Sequence, residues 1–311
     1  MTQIQTNFSI PENLEGERLD KALASLLPDY SRALITSWIK SNQVLLNGEV
    51  VKPRVAVHVG DEINVTATLE EAVSWQAEEK TLPIVYEDES LLVLDKPAGW
   101  VVHPGAGNPK GTLVNALLHY LPALNEVPRA GIVHRLDKDT SGLMVVAKNI
   151  SAQHLLSKMI EKREIKREYQ CVVVGKMIAG GTVDAPIGRH PTKRVAMSVQ
   201  NAGRHAVSHY RVIKRFASHT HVSVQLETGR THQIRVHMAH IHHPIVGDKT
   251  YGRFQKIKGF DPILTDYLKD FPRQALHACD LSFTHPVTQS PLHFHSELPK
   301  DFLELLERLE K

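Results

Sequence analysis

The 311-residue chain predicts an α+β protein with three parts. These are a small helix–helix–hairpin module over 16–66, a connector over 67–81, and a larger domain over 82–311 with a mainly antiparallel mixed sheet. Three observations carry this reading. The length exceeds that of a usual single domain, so one large domain plus a small one is the natural division. Apolar spacing switches from helical to strand-like within the first seventy residues, across an Asn-Gly pair. Beyond residue 82 many short strand-like runs appear with few regular strand–helix–strand alternations, which favours α+β over a doubly wound parallel sheet.

The elements of the small module follow in order. Leu19, Ala22, Leu23 and Leu26 recur at helical spacing and stop before Pro28. Ser31 is a suitable N-cap for a second helix with Leu34, Ile35, Trp38 and Ile39 on one face. Val44-Leu45-Leu46, Asn47-Gly48 and Val50-Val51 form a hairpin signal, and Gly60-Asp61 precedes a last strand over 62–65. With Gly16-Glu17-Arg18-Leu19-Asp20 and Val44-Leu45-Leu46-Asn47-Gly48, this unit resembles the S4 RNA-binding domain. The resemblance implies that Arg18, Lys21, Arg32 and Lys40 contact RNA. Taken alone, six Lys/Arg against six Asp/Glu in 16–66 would also suit ordinary solvated helix faces.

The connector carries Glu70, Glu71, Glu78 and Glu79, with Trp75 as a candidate for burial. The larger domain opens with strand-like runs 84–86 and 91–94, split by the turn Glu87-Asp88-Glu89-Ser90. Helices are predicted over 112–121, 151–162 and 231–241, and a closing amphipathic helix over 299–309. Further strands are predicted over 169–174, 206–216, 222–227 and 281–283. No internal repeat or low-complexity tract is present.

Composition narrows the classes. Hydrophobic residues at 42% and charged residues at 23% describe an ordinary protein with a core. No run approaches the roughly 18 apolar residues of a membrane span, and the first residues lack the pattern of a signal peptide. Two cysteines, Cys171 and Cys279, give no disulfide framework. These features predict a cytoplasmic protein without a membrane role, with a monomer as the default. Net charge is only +3, but residues 1–81 hold seven Lys/Arg against twelve Asp/Glu, and residues 82–311 hold thirty against twenty-two. The larger domain therefore carries the basic surface that a phosphate backbone would meet.

Four clusters could carry chemistry. The first, His134-Arg135-Leu136-Asp137-Lys138-Asp139-Thr140-Ser141-Gly142, runs into the apolar stretch Leu143–Ala147. Asp137 lies where nine Lys/Arg face four Asp/Glu over 129–167, a setting that favours an ionised carboxylate able to act as nucleophile or base. A lone Asp in a loop more often caps a turn, so the other clusters must decide. The second, Leu94-Asp95-Lys96-Pro97-Ala98-Gly99-Trp100-Val101-Val102-His103-Pro104-Gly105, reads as a tightly shaped positioning loop. The third, Lys166-Arg167-Glu168-Tyr169, offers an aromatic ring beside cations, suited to stacking on a base. The fourth, Glu227-Thr228-Gly229-Arg230-Thr231-His232-Gln233-Ile234-Arg235-Val236-His237, places Arg230 at the mouth of a predicted helix, where it can pair with a carboxylate or phosphate.

Together these segments resemble the RluA-type pseudouridine synthases, a family that modifies ribosomal RNA. The likeness runs through nearly all of 82–295 and through the S4 module, with no departure at key positions; Asp95 stands where the family often has Asn. It implies that Asp137 is the catalytic aspartate, that Tyr169 stacks against the target base, and that Arg230 pairs with the aspartate. Arg235 is the fallback for that pairing. Ile234 would floor the pocket, Arg135 would hold RNA open around an extruded uridine, and His134 beside it would join the RNA contacts. The implied reaction cuts the N1–C1′ bond of uridine, turns the uracil and joins C5 to C1′. Asp137 can serve as a nucleophile or can remove a sugar proton to give a glycal. No cofactor or metal is expected. The implied partner is 23S rRNA, either free or in an assembly intermediate of the large ribosomal particle, with the helix 69 stem-loop as target.

Two competing readings remain. His232, His237, His240, His242 and His243 could serve a metal hydrolase, although no carboxylate stands one turn from a His pair as zincins require. A non-catalytic RNA-binding protein on the same fold would be expected to lack Asp137 or Tyr169, and both are present.

Overall fold

A computed structural model of the chain describes residues 2–28, 30, 32–69, 75–105, 107–193, 195–252 and 261–311. The chain divides into two compact units between residues 74 and 75. The first contains β1 (Thr2–Ser9), α1 (Leu19–Leu26), α2 (Arg32–Lys40), β2 (Val44–Leu46), β3 (Glu49–Val50) and β4 (Glu62–Leu69). Its sheet has the order β1-β4-β2-β3. Leu19, Leu23, Ile35, Trp38 and Ile39 from the two helices bury against Val44, Leu46, Ile63 and Val65 of the sheet. Asn47 and Gly48 both take positive φ, 51° and 82°, as a two-residue hairpin turn of this hand requires. The expected cap Ser31 lies outside the described residues, as do Glu70 and Glu71 of the expected connector.

This unit is larger than the expected 16–66 module. β1 pairs with β4 from Thr2↔Leu69 to Ser9↔Glu62, so β4 extends into the expected connector. The signal for β1 is the weak alternation of Ile4, Thr6 and Phe8 toward the core against Gln5, Asn7 and Ser9 outward. Glu78 also departs from the connector reading: its carboxylate accepts from Gly111 N–H at 2.9 Å and its own N–H donates to the Asn115 carbonyl. Trp75 packs against the core of the second unit.

The second unit contains, in order, β5 (Ile84–Glu87), β6 (Leu91–Lys96), α3 (Leu113–Tyr120), β7 (Ser141–Ala147), α4 (Ile150–Glu161), β8 (Lys166–Val174), β9 (Gly181–Asp184), β10 (Ile187–Arg189) and β11 (Met197–Val199). It continues with β12 (Val207–Arg215), β13 (His219–Leu226), α5 (Gln233–His240), α6 (Pro262–Asp270), β14 (Leu276–Thr284), β15 (Pro291–His295) and α7 (Lys300–Glu310). The main sheet has the order β5-β6-β7-β14-β8-β13-β12-β9, with β15 on β14. Among the described strands every pairing is antiparallel except β7 with β14. The class is α+β with a mostly antiparallel sheet.

Both faces of the sheet centre are covered. Leu92, Leu94, Met144 and Val146 face a core shared with α3, α5 and α7, while Leu91, Val93, Leu143 and Val145 face Ala152 and Leu156 of α4. That two-sided burial explains why 91–94 and 143–147 read as continuous apolar runs rather than alternating ones. The single parallel pairing depends on Gly142, at φ +114°, where a Cβ would stand 2.2 Å from the Ala278 carbonyl oxygen. Of the predicted elements, the strand over 281–283 is the end of the longer β14. The helix expected from 231 starts at Gln233, because His232 adopts a left-handed backbone (φ 57°, ψ 22°). No described helix is long and apolar enough to cross a membrane.

Candidate active site

Asp137 opens a turn closed by Thr140 N–H donating to its carbonyl at 3.1 Å, just before β7. Two segments remote in sequence hold that turn. Lys96, fully buried, donates from Nζ to the carbonyls of Pro97 (2.9 Å), Trp100 (3.1 Å) and Lys138 (3.0 Å). Gly99 N–H reaches the same Lys138 carbonyl at 2.9 Å. From the other side Gln274 Nε2 donates to Thr140 Oγ1 at 3.1 Å, and Arg273 Nη1 to the Asp139 carbonyl at 3.3 Å. Burial drives the Lys96 pKa down to about 7, against the pull of Asp139 and Asp137. The Asp95–Gly105 loop thus acts through its backbone and one lysine, as scaffolding for the Asp137 turn.

The cation on Asp137 is Arg235, not Arg230. Arg235 Nη1 donates to Asp137 Oδ2 at 2.9 Å, while its Nε and Nη2 form a fork on Asp248 at 2.7 and 3.0 Å. Asp248, with a fully buried side chain, also accepts from the N–H groups of Thr250 and Tyr251. Burial opposes the Arg235 charge, but the two carboxylates outweigh it and raise its pKa above the usual arginine range. Arg230 instead sends Nε to the His205 carbonyl at 3.0 Å. The reason is the start of the helix: with α5 beginning at Gln233, Arg230 lies in the loop ahead of it, and Arg235 on the first turn points inward.

Around this pair opens a cleft of about 890 Å³. Its walls include Arg129, Arg135, Arg163, Arg167, Arg230 and Arg235, against the acids Asp137, Glu161 and Glu227. Asp137, with its side chain 16% exposed, is open to a ligand. Tyr169 from β8 and Ile234 from α5 line the cleft; burial raises the Tyr169 pKa and keeps the phenol protonated at neutral pH. Arg135 is exposed at the wall and has no carboxylate partner among the described residues. Arg167, which the sequence reading left without a role, is buried in the wall with its Nε unpartnered. Its guanidinium lies against Gly229, whose missing side chain leaves room for it.

His134 departs from the expected RNA contact. It is buried, its Nε2 accepts Val145 N–H at 3.1 Å, and burial, with Arg167 nearby, drives its pKa to about 3. It ties the segment before the turn to β7. In the first unit Arg18 and Arg32 both grip the buried Asp20, at 2.9 and 2.8 Å, and Lys21 pairs with Glu17 at 2.6 Å. All three cations stay substantially exposed, and Lys40 is exposed at the end of α2.

The histidine-rich segment does not converge. His237 is buried between Ser208 Oγ and the Ala185 carbonyl, and His243 Nδ1 meets the Val174 carbonyl. Among the described residues no three His, Cys, Asp or Glu side chains are placed to share a metal. Sequence reasoning missed Asp248, Tyr251 and the placement of His232 beside Asp137, all of which depend on contacts that the fold creates. Their only local signal was the proximity of an acid and an aromatic to a motif rich in Arg and His.

A small helix–helix–hairpin module and a sheet whose basic cleft presents an Arg-held aspartate fit the class the sequence resembles, the RNA pseudouridine synthases. Comparison with known proteins agrees. The RNA pseudouridylate synthase family model matches residues 90–240, and the S4 domain model matches 17–63. The ribosomal large subunit pseudouridine synthase D of Escherichia coli K12 is 52% identical over 307 residues, covering 98% of this chain and 94% of its own. The protein of that name from Vibrio parahaemolyticus is 51% identical, covering 99% and 96%. The structure of human RNA pseudouridylate synthase domain containing 4 superposes with a TM-score of 0.57 at 26% identity, covering 73% of this chain and 92% of its own. The chain belongs to the RNA pseudouridylate synthase family and, as such, is an isomerase.

Proposed function

We propose that this enzyme isomerises uridines of 23S ribosomal RNA in the helix 69 stem-loop, with Asp137 as the reacting carboxylate. The observation that carries the reading is the placement of Asp137, open to the cleft and held by Arg235 amid an excess of arginines. The 23S substrate is supported by the names and near-complete coverage of the relatives; the stem-loop rests on the family resemblance alone. The enzyme acts as a cytoplasmic monomer in this reading.

A uridine stacked in a stem cannot reach Asp137, so it must be extruded into the cleft, where Tyr169 stacks on the uracil and Arg135 replaces lost contacts in the RNA. The arginine wall and the half-exposed cations of the small unit hold phosphates. Asp137 then attacks C1′ or removes a ribose proton. The N1–C1′ bond breaks, the uracil turns and C5 bonds to C1′, with the Asp137 carboxylate expelled from C1′ in the first route or the ribose proton returned to C2′ in the second; the C5 proton then leaves to solvent while N1 gains one. Release of tritium from RNA labelled at uridine C5 measures that last exchange. Wild type is expected to release it and Asp137→Asn to release none, with RNA affinity kept within a few-fold; appreciable release by Asp137→Asn would overturn the assignment.

A further inference from the structure

The two carboxylate oxygens of Asp137 have different surroundings. Oδ2 is taken by Arg235 at 2.9 Å, while Oδ1 faces His232 Nε2 at 3.8 Å. That second distance is too long for a hydrogen bond and leaves the oxygen without a partner among the described residues. On its far side His232 Nδ1 lies 2.6 Å from the Tyr251 hydroxyl, which accepts Met197 N–H at 2.8 Å. A backbone N–H can only donate, so the phenol's single proton is free to point at Nδ1. A neutral imidazole that accepts at Nδ1 carries its hydrogen on Nε2, the nitrogen facing Asp137. Burial lowers the His232 pKa and favours this neutral form, although Asp137 pulls the other way. The same Arg235 that holds Oδ2 lies over the Tyr251 ring, 5.0 Å from its centre.

Helix capping does not explain a histidine here. His232 stands at the start of α5 in a left-handed conformation, and its side chain makes no capping hydrogen bond. A non-glycine residue in that conformation is strained, and such strain clusters at active sites and switch regions. Here one such residue carries the ring that faces the aspartate.

We propose that His232 is a positioning residue for Asp137: with its tautomer set by Tyr251, its Nε2–H closes on Oδ1 when substrate binds and fixes which oxygen meets the ribose. The inference rests on Asp137 being the reacting carboxylate. Arg235 and His232 then hold the carboxylate from two sides, and the chain Met197 N–H, Tyr251 hydroxyl, His232 imidazole transmits orientation from the β11 edge to the reacting group. Among described residues, the charged groups acting on His232 are Asp137, Asp248, Arg235 and Arg135, and the titratable group bonded to it is Tyr251.

The test uses the full-length enzyme and tritium release, with Asp137→Asn run in parallel. His232→Asn keeps a residue suited to left-handed backbone but cannot reach Oδ1, and should lower kcat about 10- to 100-fold at nearly unchanged KM, since small misplacements at a reacting centre cost that much. His232→Gln, which carries an N–H donor at similar reach, should recover most of the loss. Tyr251→Phe removes the donor that sets the tautomer, lets the neutral imidazole carry its hydrogen on Nδ1, and should change the kcat profile: a loss at neutral pH that recovers toward lower pH, where the imidazolium again carries hydrogen on Nε2. If His232→Asn keeps kcat within two-fold, or if Gln fails to rescue and Tyr251→Phe leaves the pH profile in place, the proposal is wrong. Turnover by Asp137→Asn would instead remove the reading on which it rests. Equal thermal melts and RNA affinity across the set guard against a folding defect.

Discussion

Arg235 reaches Asp137 because the backbone turns left-handed at His232 and begins its helix one residue later. Five positions separate it from Arg230, and that difference decides which guanidinium meets Asp137 and which bonds to the His205 carbonyl. Arg235 does more than neutralise a charge: three of its N–H groups join two acids that would otherwise repel across a buried site. A lysine offers a point charge and cannot bridge both carboxylates. Arg235→Lys is expected to lower kcat about 100-fold with little change in KM, whereas Arg230→Ala should stay within about three-fold of wild type. The reverse ranking, in steady-state tritium release at saturating RNA, would return the pairing role to Arg230.

At the scale of elements, the Asp137 turn is held by what flanks it. Lys96 and Gly99 fasten one side to the loop after β6, and Gln274 and Arg273 fasten the other to the segment before β14. The parallel contact of β7 with β14 brings these supports together, and it needs Gly142. Added bulk there meets backbone rather than a movable side chain, and positive φ strains any replacement. Gly142→Ala is therefore expected to lose about 3 kcal/mol or more of stability. Urea unfolding followed by circular dichroism would show it as a lowered midpoint, and an unchanged midpoint would mean that β14 can shift without cost.

The molecule as a whole is two units, each with its own core, and the expected connector belongs to both. Its first residues complete β4, and Trp75, Gln76 and Glu78 are bound to the second unit through its core, Asn115 and Gly111. Where the chain is cut should therefore matter. A protein beginning at Trp75 is expected to keep kcat within a few-fold on saturating RNA while KM rises at least ten-fold, through loss of the phosphate contacts of the small unit. Starting at Thr81 instead removes the anchors of α3 and should lower the melting temperature further. A Trp75 start with wild-type KM would show that the small unit adds nothing to RNA binding.

The α+β class and the helix–helix–hairpin module were legible in the sequence, since period and turn residues are local properties, whereas a common cleft for Asp137, Tyr169 and Ile234 was expected only from the family resemblance. Strand β1 and the 181–199 strands were faint because few of their residues are strongly apolar. Tertiary structure decided which arginine holds the aspartate, that His134 is buried against Val145 rather than exposed to RNA, and that Asp248 lies behind Arg235. Each of those outcomes depends on a backbone angle or on a contact between residues far apart in the chain. Residue type and spacing along the chain carry no record of such distances.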